Sequence, residues 1–200
     1  PIAHQVSPNA RIVFHAPDLH FLREQREAEL FNAPTQQRMA AETRRRELGI
    51  MRSSDLVVVV SPVEKELLQS VLPEKPVQVF QALYVPVAEN PPGFAQRRDI
   101  FFLGGFAHRP NVQAVKWFAE DIWPLIHARL PNVTFHIVGA EAPAEVRALG
   151  KLPGIRYVGY VEDLAPVLNE MRLGVAPLCY GAGIKGKVAM TMGAGVPCIC

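Results

Sequence analysis

The chain has 200 residues, 49% hydrophobic and 20% charged, enough apolar content for a sizeable core in one large domain or two small ones. A formal net charge of +2 is too near neutral for a nucleic-acid binder, so any recognition of an anion must be local. The three cysteines, Cys179, Cys198 and Cys200, show neither metal-type spacing nor a disulfide framework, which argues against a stapled secreted scaffold and predicts reduced thiols.

The longest purely aliphatic run, Leu56 to Val60, is far too short to span a membrane, and no segment reads as a signal peptide. A cytoplasmic location is expected, with peripheral association at a membrane left open.

Arg11 to Phe14 reads as a short buried strand, after which HAPDLHFLREQREAEL turns into a charged helix. A second helix is predicted over about Gln36 to Met51, with Met39, Leu48 and Ile50 in one apolar stripe. Arg44, Arg45 and Arg46, flanked by Glu42 and Glu47, read as its solvated face. The run DLVVVV, Asp55 to Val60, is too uniformly apolar for a half-exposed strand and belongs inside a parallel sheet. Ser61-Pro62-Val63-Glu64 has the form of a capping box with proline at the first helical position, predicting a helix through Leu68. Pro76 to Phe80 is the next strand, and strand, helix, strand in this order predicts a parallel α/β layer.

Between about Val85 and Arg98, Pro86, Pro91, Pro92 and Gly93 oppose regular structure, and a linker is predicted there. From Asp99 the chain alternates. DIFFLGGF reads as strand, Asn111 to Leu130 as helix, VTFHIVGA as strand, Pro143 to Leu149 as short helix and IRYVGY as strand. A helix over about Leu164 to Met171, the strand LGVAPL, a glycine turn opening a helix, and the strand VPCIC complete the series. Five strands joined by helices predict a doubly wound Rossmann-like sheet. Its ligand would lie at the strand carboxyl ends, where Gly104, Gly105, Gly139, Gly159 and Gly181 fall. Cys198 and Cys200 are expected on one face of the last strand as small buried hydrophobes.

The stretch from Pro177 to Cys200 carries the clearest chemistry. Gly181, Gly183 and Gly186 let backbone approach a ligand, Lys185 and Lys187 bring positive charge, and a following helix would aim its free N–H groups at the same spot. An anion, most simply a phosphate, suits such a turn. Gly181 to Lys187 matches the first seven positions of a Walker A pattern, but Val188 stands where Ser or Thr would ligate magnesium, and only thirteen residues follow Lys187. A nucleoside triphosphatase is therefore not expected. Gly104-Gly105 is a degenerate dinucleotide turn in which a ligand contact and a plain tight turn stand about level, and Arg109 could assist a phosphate there. Asp18, His20, Arg23 and Arg26 gather just after a strand end; His20 could hold a sugar hydroxyl or transfer a proton, or simply pair with Asp18. No Ser-His-Asp spacing, HExxH element or CxxC pair supports a hydrolytic triad or metal catalysis.

With those pieces placed, the chain resembles a GT-B glycosyltransferase of family 4, the group 1 class. The carriers are FFLGGFAHRPNVQAVKWF, LPNVTFHIVGA, IRYVGYVEDLAPVLNEMRLGVAPL and GAGIKGKVAMTMGAGVPCI, with DLHFLREQREAEL and DLVVVVSPVEKELL upstream. The resemblance implies an α/β protein of GT-B type with two doubly wound, Rossmann-like parallel sheets. Residues 1–84 would be a partial N-terminal acceptor-side domain, 85–98 the linker, and 99–200 a C-terminal donor domain lacking its last elements, so that the chain is an internal portion of a longer enzyme. It further implies a nucleotide-sugar donor, a carbohydrate or glycolipid acceptor, transfer with retention at the anomeric carbon, and no obligatory metal or other cofactor.

By the same resemblance, Gly105, Phe106, Tyr160, Val161, Gly181, Gly183, Lys185 and Lys187 are donor-binding candidates. Asp18, His20 and Arg23 are acceptor-side candidates, with His20 the candidate for catalysis. Two departures stand out. The family usually carries two glutamates eight positions apart around the last turn, the second binding the donor ribose, and the matching positions are Ala182 and Met190. Gly105 replaces the basic residue that usually follows the first glycine. Two alternatives accompany the transferase reading: a catalytically lapsed module that binds a nucleotide or partner, and a sugar-nucleotide epimerase on the same fold.

Overall fold

The structure is a computed structural model that describes residues 5–81, 85 and 87–200. The chain divides into two compact units, Pro1–Leu83 with Tyr180–Ile184, and Tyr84–Cys179 with Lys185–Cys200. Pro86, within the expected linker, lies outside the described residues.

In the first unit, three parallel strands, β1 (Val13–Ala16), β2 (Leu56–Val59) and β3 (Val77–Val79), lie in the order β1-β2-β3. The apolar run thus becomes the central strand, as its composition requires. Strand β1 starts two residues later than expected because the Ile12 N–H donates to Asp55 Oδ2 at 2.7 Å, so the paired register opens with Val13 on Leu56. Helices α1 (His20–Leu30), α2 (Pro34–Ser53) and α3 (Pro62–Val71) close a core of Leu19, Phe21, Leu48, Met51, Val57 and Leu68 among others.

Helix α3 begins at Pro62 as the sequence predicts, but the capping box does not form: the Ser61 side chain makes no cap bond. The carboxylate of Glu64, only 3% exposed, accepts the Leu19 N–H at 3.4 Å and the Gly183 N–H at 2.8 Å instead. Proline pre-sets the first turn and removes one orphan donor, so the helix starts without the local cap. Tertiary partners then claim the glutamate.

In the second unit, strands β4 (Asp99–Leu103), β5 (Phe135–Val138), β6 (Ile155–Gly159), β7 (Met171–Val175) and β8 (Cys198–Ile199) form one parallel sheet in the order β6-β5-β4-β7-β8. The chain winds outward from β4 to β6, then returns and winds the other way through β7 and β8. Order reverses between β4 and β7, and in open α/β sheets the crevice at such a reversal is where ligands bind.

The predicted Asn111 to Leu130 helix is broken into α4 (Arg109–Trp117), a π-helical turn (Phe118–Ile122) and α5 (Trp123–His127). Pro124 causes the break: it has no N–H to give, its ring would strike the carbonyl four residues back, and a wider turn relieves both. Helices α6 (Ala144–Ala148), α7 (Leu164–Glu170) and α8 (Gly186–Gly193) follow. One core, built on Phe102, Ala114, Val115, Phe118, Trp123 and Phe135, packs α4 to α6 against the sheet. Another, with Phe101, Leu168, Met171 and Val196, lies under α7 and α8.

Within the proline-rich stretch the backbone makes a 3-10 turn at Phe94–Gln96, and Arg97 beyond it is 1% exposed. Its guanidinium donates to the carbonyls of Pro92, Leu168, Met171 and Ala194, at 2.8 to 3.3 Å. A buried cation held by backbone dipoles needs no carboxylate partner, and this one ties the stretch to β7, α7 and α8.

The cysteines depart from expectation. Cys198 is half-buried, Cys179 and Cys200 are exposed, and all three are free. Strand β8 is a two-residue edge strand whose Ile199 is itself exposed, so it offers no fully buried face to Cys200.

Candidate functional site

Two clusters of chemistry-bearing side chains stand out, one in each unit. In the first unit, the Asp18 carboxylate pairs with Arg23 Nη1 through Oδ2 and faces His20 Nε2 at 3.2 Å through Oδ1, while His20 Nδ1 lies 3.3 Å from Glu47 Oε1. Glu47 also accepts the backbone N–H groups of His20 at 3.3 Å and Phe21 at 2.9 Å. Leu19, at the N-cap of α1, has no side-chain acceptor to offer, and Glu47 and Glu64 supply that function from α2 and α3. Gly181 and Gly183 belong to this cluster. Arg26 Nη1 donates to the Gly181 carbonyl, and Gly183 adopts φ +68°, where an added Cβ would stand 2.5 Å from the Pro17 oxygen. Arg26 is therefore bonded to the glycine turn, and Asp18, His20 and Arg23 are brought together as their spacing suggests.

In the second unit, the site forms at the carboxyl ends of β4 and β7. Strand β4 delivers Gly104-Gly105, and the loops after β4 and β5 meet closely: Gly104 N–H donates to Val138 O at 3.0 Å, and a Cβ on Gly139, at φ +152°, would fall 1.9 Å from Gly104 O. Only glycine permits that approach. Phe106 turns inward, 4% exposed and stacked on Phe102 with centroids 6.0 Å apart, so its side chain serves the core. Beyond β7, helix α8 sits tightly on the sheet at Gly174, where a Cβ would come 2.7 Å from Thr191 Cγ2. Thr191 Oγ1 in turn donates to Lys187 O at 2.6 Å.

Lys187, in the first turn of α8, reaches Asn111 Oδ1 at 2.5 Å and lies 4.1 Å over the Phe102 ring. Asn111, 6% exposed, donates through Nδ2 to Gly105 O at 2.7 Å. Burial lowers the Lys187 pKa to about 8; the Cys198 thiol pulls it up and Lys185 pushes it further down. Among the described residues no carboxylate pairs with the Lys187 ammonium. A half-buried cation held by a neutral amide and a ring face retains most of its attraction for an incoming anion. Lys185, at the N-cap of α8, makes no side-chain cap bond, and the first amides of a helix suit an anion.

Tyr160 is exposed and Val161 half-buried, just past β6, where Gly159 O accepts the Gly139 N–H at 2.8 Å. Met190 lines a groove of about 310 Å³ with Val85, Val87, Leu164, Leu168 and Ala194. Asn111 is the residue that sequence reasoning passed over. It was expected merely to begin a helix, whereas α4 begins two residues earlier at Arg109 and carries Asn111 inward. Among the described residues, no three His, Cys, Asp or Glu side chains gather to hold a metal ion, and no helix is long and apolar enough to cross a membrane.

Together these features define a parallel α/β protein with a half-buried lysine at a topological switch point. The sequence profile of the Glycosyl transferases group 1 family matches residues 97–200, more than half of the chain, and the chain belongs to that family. No curated protein matches it in sequence. Solved structures with the same fold include sucrose-phosphate synthase from Thermosynechococcus elongatus, at 19% identity and TM-score 0.68 over 98% of this chain and 52% of that protein. Trehalose-6-phosphate synthase OtsA aligns at 13% identity and TM-score 0.60, over 97% and 52%. HepE from Anabaena, in complex with UDP and glucose, aligns at 16% identity and TM-score 0.57, over 98% and 54%. The chain therefore has the fold of GT-B glycosyltransferases and spans about half the length of each of these three proteins.

Proposed function

We propose that the chain forms part of a retaining glycosyltransferase that moves a sugar from a nucleotide-diphosphate donor to an acceptor hydroxyl, in polysaccharide or glycoconjugate synthesis. One observation carries this reading: the Lys187 ammonium, half-desolvated over Phe102, at the sheet's switch point beside the Gly104-Gly105 turn. Transfer breaks the bond between the anomeric carbon and the diphosphate and forms one to the acceptor oxygen. The negative charge then grows on the leaving phosphate. In this reading Lys187, Lys185 and the first amides of α8 stabilise it, the work that magnesium performs elsewhere, and an obligatory metal is not called for.

The nucleoside of the donor falls in this reading near Tyr160 and Val161, with Gly105 and Phe106 giving backbone to the donor; the Gly181 carbonyl and the Gly183 N–H are taken by Arg26 and Glu64 in the first unit. HepE holds UDP and glucose, which favours a uridine donor as the first to try. Asp18, His20 and Arg23 are assigned to the acceptor, a carbohydrate or glycolipid, with His20 as candidate for handling the acceptor hydroxyl proton. A cytoplasmic location, where nucleotide sugars are consumed, goes with this reading.

Thermal stabilisation by UDP, GDP and ADP, with and without magnesium, tests it. Stabilisation by at least one nucleotide is expected, independent of magnesium and lost in Lys187→Ala. No shift with any of the three would sink the donor site.

Met190 favours a second reading, a lapsed module that binds without transfer. Its thioether in an apolar groove offers ribose hydroxyls only a weak acceptor. Met190→Glu is expected to tighten UDP binding; unchanged affinity would place the ribose elsewhere.

A further inference from the structure

Asn111 is the side chain that joins the two halves of the anion site, since α4 follows β4 and Lys187 follows β7. Its amide has a single workable orientation. Nδ2 faces the Gly105 carbonyl, which can only accept, and Oδ1 faces the Lys187 ammonium, which can only donate. Flipping the group would set donor against donor and acceptor against acceptor. At 6% exposure neither end can turn to water.

The neighbourhood of the turn shows what this arrangement serves. The Gly104-Gly105 peptide is trans, so its N–H points opposite to its carbonyl, and that carbonyl is pressed against Gly139. The Gly105 N–H is thus aimed away from the β5 loop, and space around the Gly105 Cα is open. Any side chain at Gly104 would meet Asn111 Nδ2 at 2.8 Å and Lys187 Nζ at 3.0 Å. Turn, amide and ammonium are therefore packed as one unit. Two groups of the cluster, the Gly105 carbonyl and the Lys187 ammonium, meet on the Asn111 amide, and the carbonyl also accepts the His108 N–H at 3.4 Å.

We propose that Asn111 is a positioning residue that locks the Gly105 carbonyl inward and holds the Lys187 ammonium beside it, so that Lys187 and the Gly105 N–H face one phosphate group. The inference rests on the donor-site reading above. Asn111 touches no reacting atom and acts through Lys187. The groups that bear on Lys187 are Asn111 from α4, the Phe102 ring from β4, the Cys198 thiol from β8 and Lys185 ahead of α8.

The test uses the 200-residue chain, with the Lys187 ammonium followed by NMR of its 13Cε through a pH titration, assigned with Lys187→Arg. Pyrophosphate and UDP binding are measured by calorimetry. Asn111→Asp keeps the shape and the acceptor toward Lys187 but adds a negative charge and sets oxygen against the Gly105 carbonyl. It should raise the Lys187 midpoint by roughly one unit or more and weaken pyrophosphate roughly tenfold. Asn111→Ala, which removes both bonds, should weaken pyrophosphate by a similar factor with the melting cooperativity retained. Wild-type binding of pyrophosphate with a Lys187 midpoint unmoved in Asn111→Asp would overturn the positioning role. A midpoint that moves while wild type binds neither pyrophosphate nor UDP would overturn the donor-site reading and with it the phosphate this residue is said to serve.

Discussion

Each of the two clusters holds a basic side chain, and they differ in what neutralises it. In the first unit, Arg23 is paired with Asp18, His20 lies between Asp18 and Glu47, and the amides that open α1 are taken by Glu47 and Glu64. Positive charge and helix dipole are answered there by carboxylates of the fold itself. In the second unit, Lys187 is answered by an uncharged amide and an aromatic ring, and the opening of α8 has no side-chain cap. A cation desolvated without a counter-ion costs the fold stability, and an anionic ligand would relieve that cost. The first arrangement is neutralised by its own carboxylates; the second holds its cation on an amide and a ring.

If this contrast holds, Lys187→Ala has the largest effect on binding. UDP or pyrophosphate affinity should fall roughly 10- to 100-fold, as expected for a charge-assisted contact worth about 1.5–3 kcal/mol, with the melting temperature kept or raised. An unchanged dissociation constant by calorimetry would break the comparison. Glu47→Ala should have the opposite profile. Two N–H groups of α1, the buried one of Phe21 and the half-buried one of His20, would lose their acceptor, at a cost of about 1–3 kcal/mol in urea unfolding, with UDP affinity unaffected.

The pH dependence sharpens the same contrast. Pyrophosphate affinity should fall as pH rises through about 8, where the ligand-free Lys187 loses its proton. Stability responds with the other sign. Between about 8 and the ordinary 10.5, the unfolded chain holds a proton the folded one has released, so Lys187 makes the fold gain stability with rising pH. Cys198, raised from 9.0 to about 11 by burial and by Cys200, opposes that gain above pH 9. Lys187→Met should flatten the rise between pH 8 and 9 in denaturant midpoints, and an unchanged slope would mean the ammonium is not buried. Smallest of all, Arg46→Ala on the exposed face of α2 should change stability by less than about 0.5 kcal/mol, its pairing with Glu42 being a surface contact. A larger loss would mean that the charges of the first unit are not simply solvated.

Much of the second unit was legible in advance because its strands are short, largely apolar runs, three of them ending at or just before glycine (Gly104, Gly139, Gly159), and its helices open at a proline or polar turn. The break at Pro124 was legible too in principle, since proline in a helix interior has a fixed steric consequence, yet the apolar period on either side reads straight through it. The capping box at Ser61 misled for a different reason. Ser-x-x-Glu is a local motif, but the Glu64 carboxylate gains more from buried amides distant in sequence than from its own helix start. Asn111 could not be singled out at all, because nothing local separates an asparagine that begins a helix from one that bridges two loops.

The sequence by itself determined the order of strands and helices, the parallel α/β class and the family, through apolar periodicity, turn residues and a set of spaced motifs. It also marked Lys187 as a candidate. Only the tertiary structure decided what surrounds that lysine, namely the Asn111 amide, the Phe102 ring and the glycine approach at Gly139. It likewise decided that Gly181 and Gly183 bond with Arg26 and Glu64. The reason is physical: strand order and helix periodicity are local properties of the chain. The partner of a buried polar atom is chosen by whichever group folding brings within about 3 Å, however far away it lies in sequence.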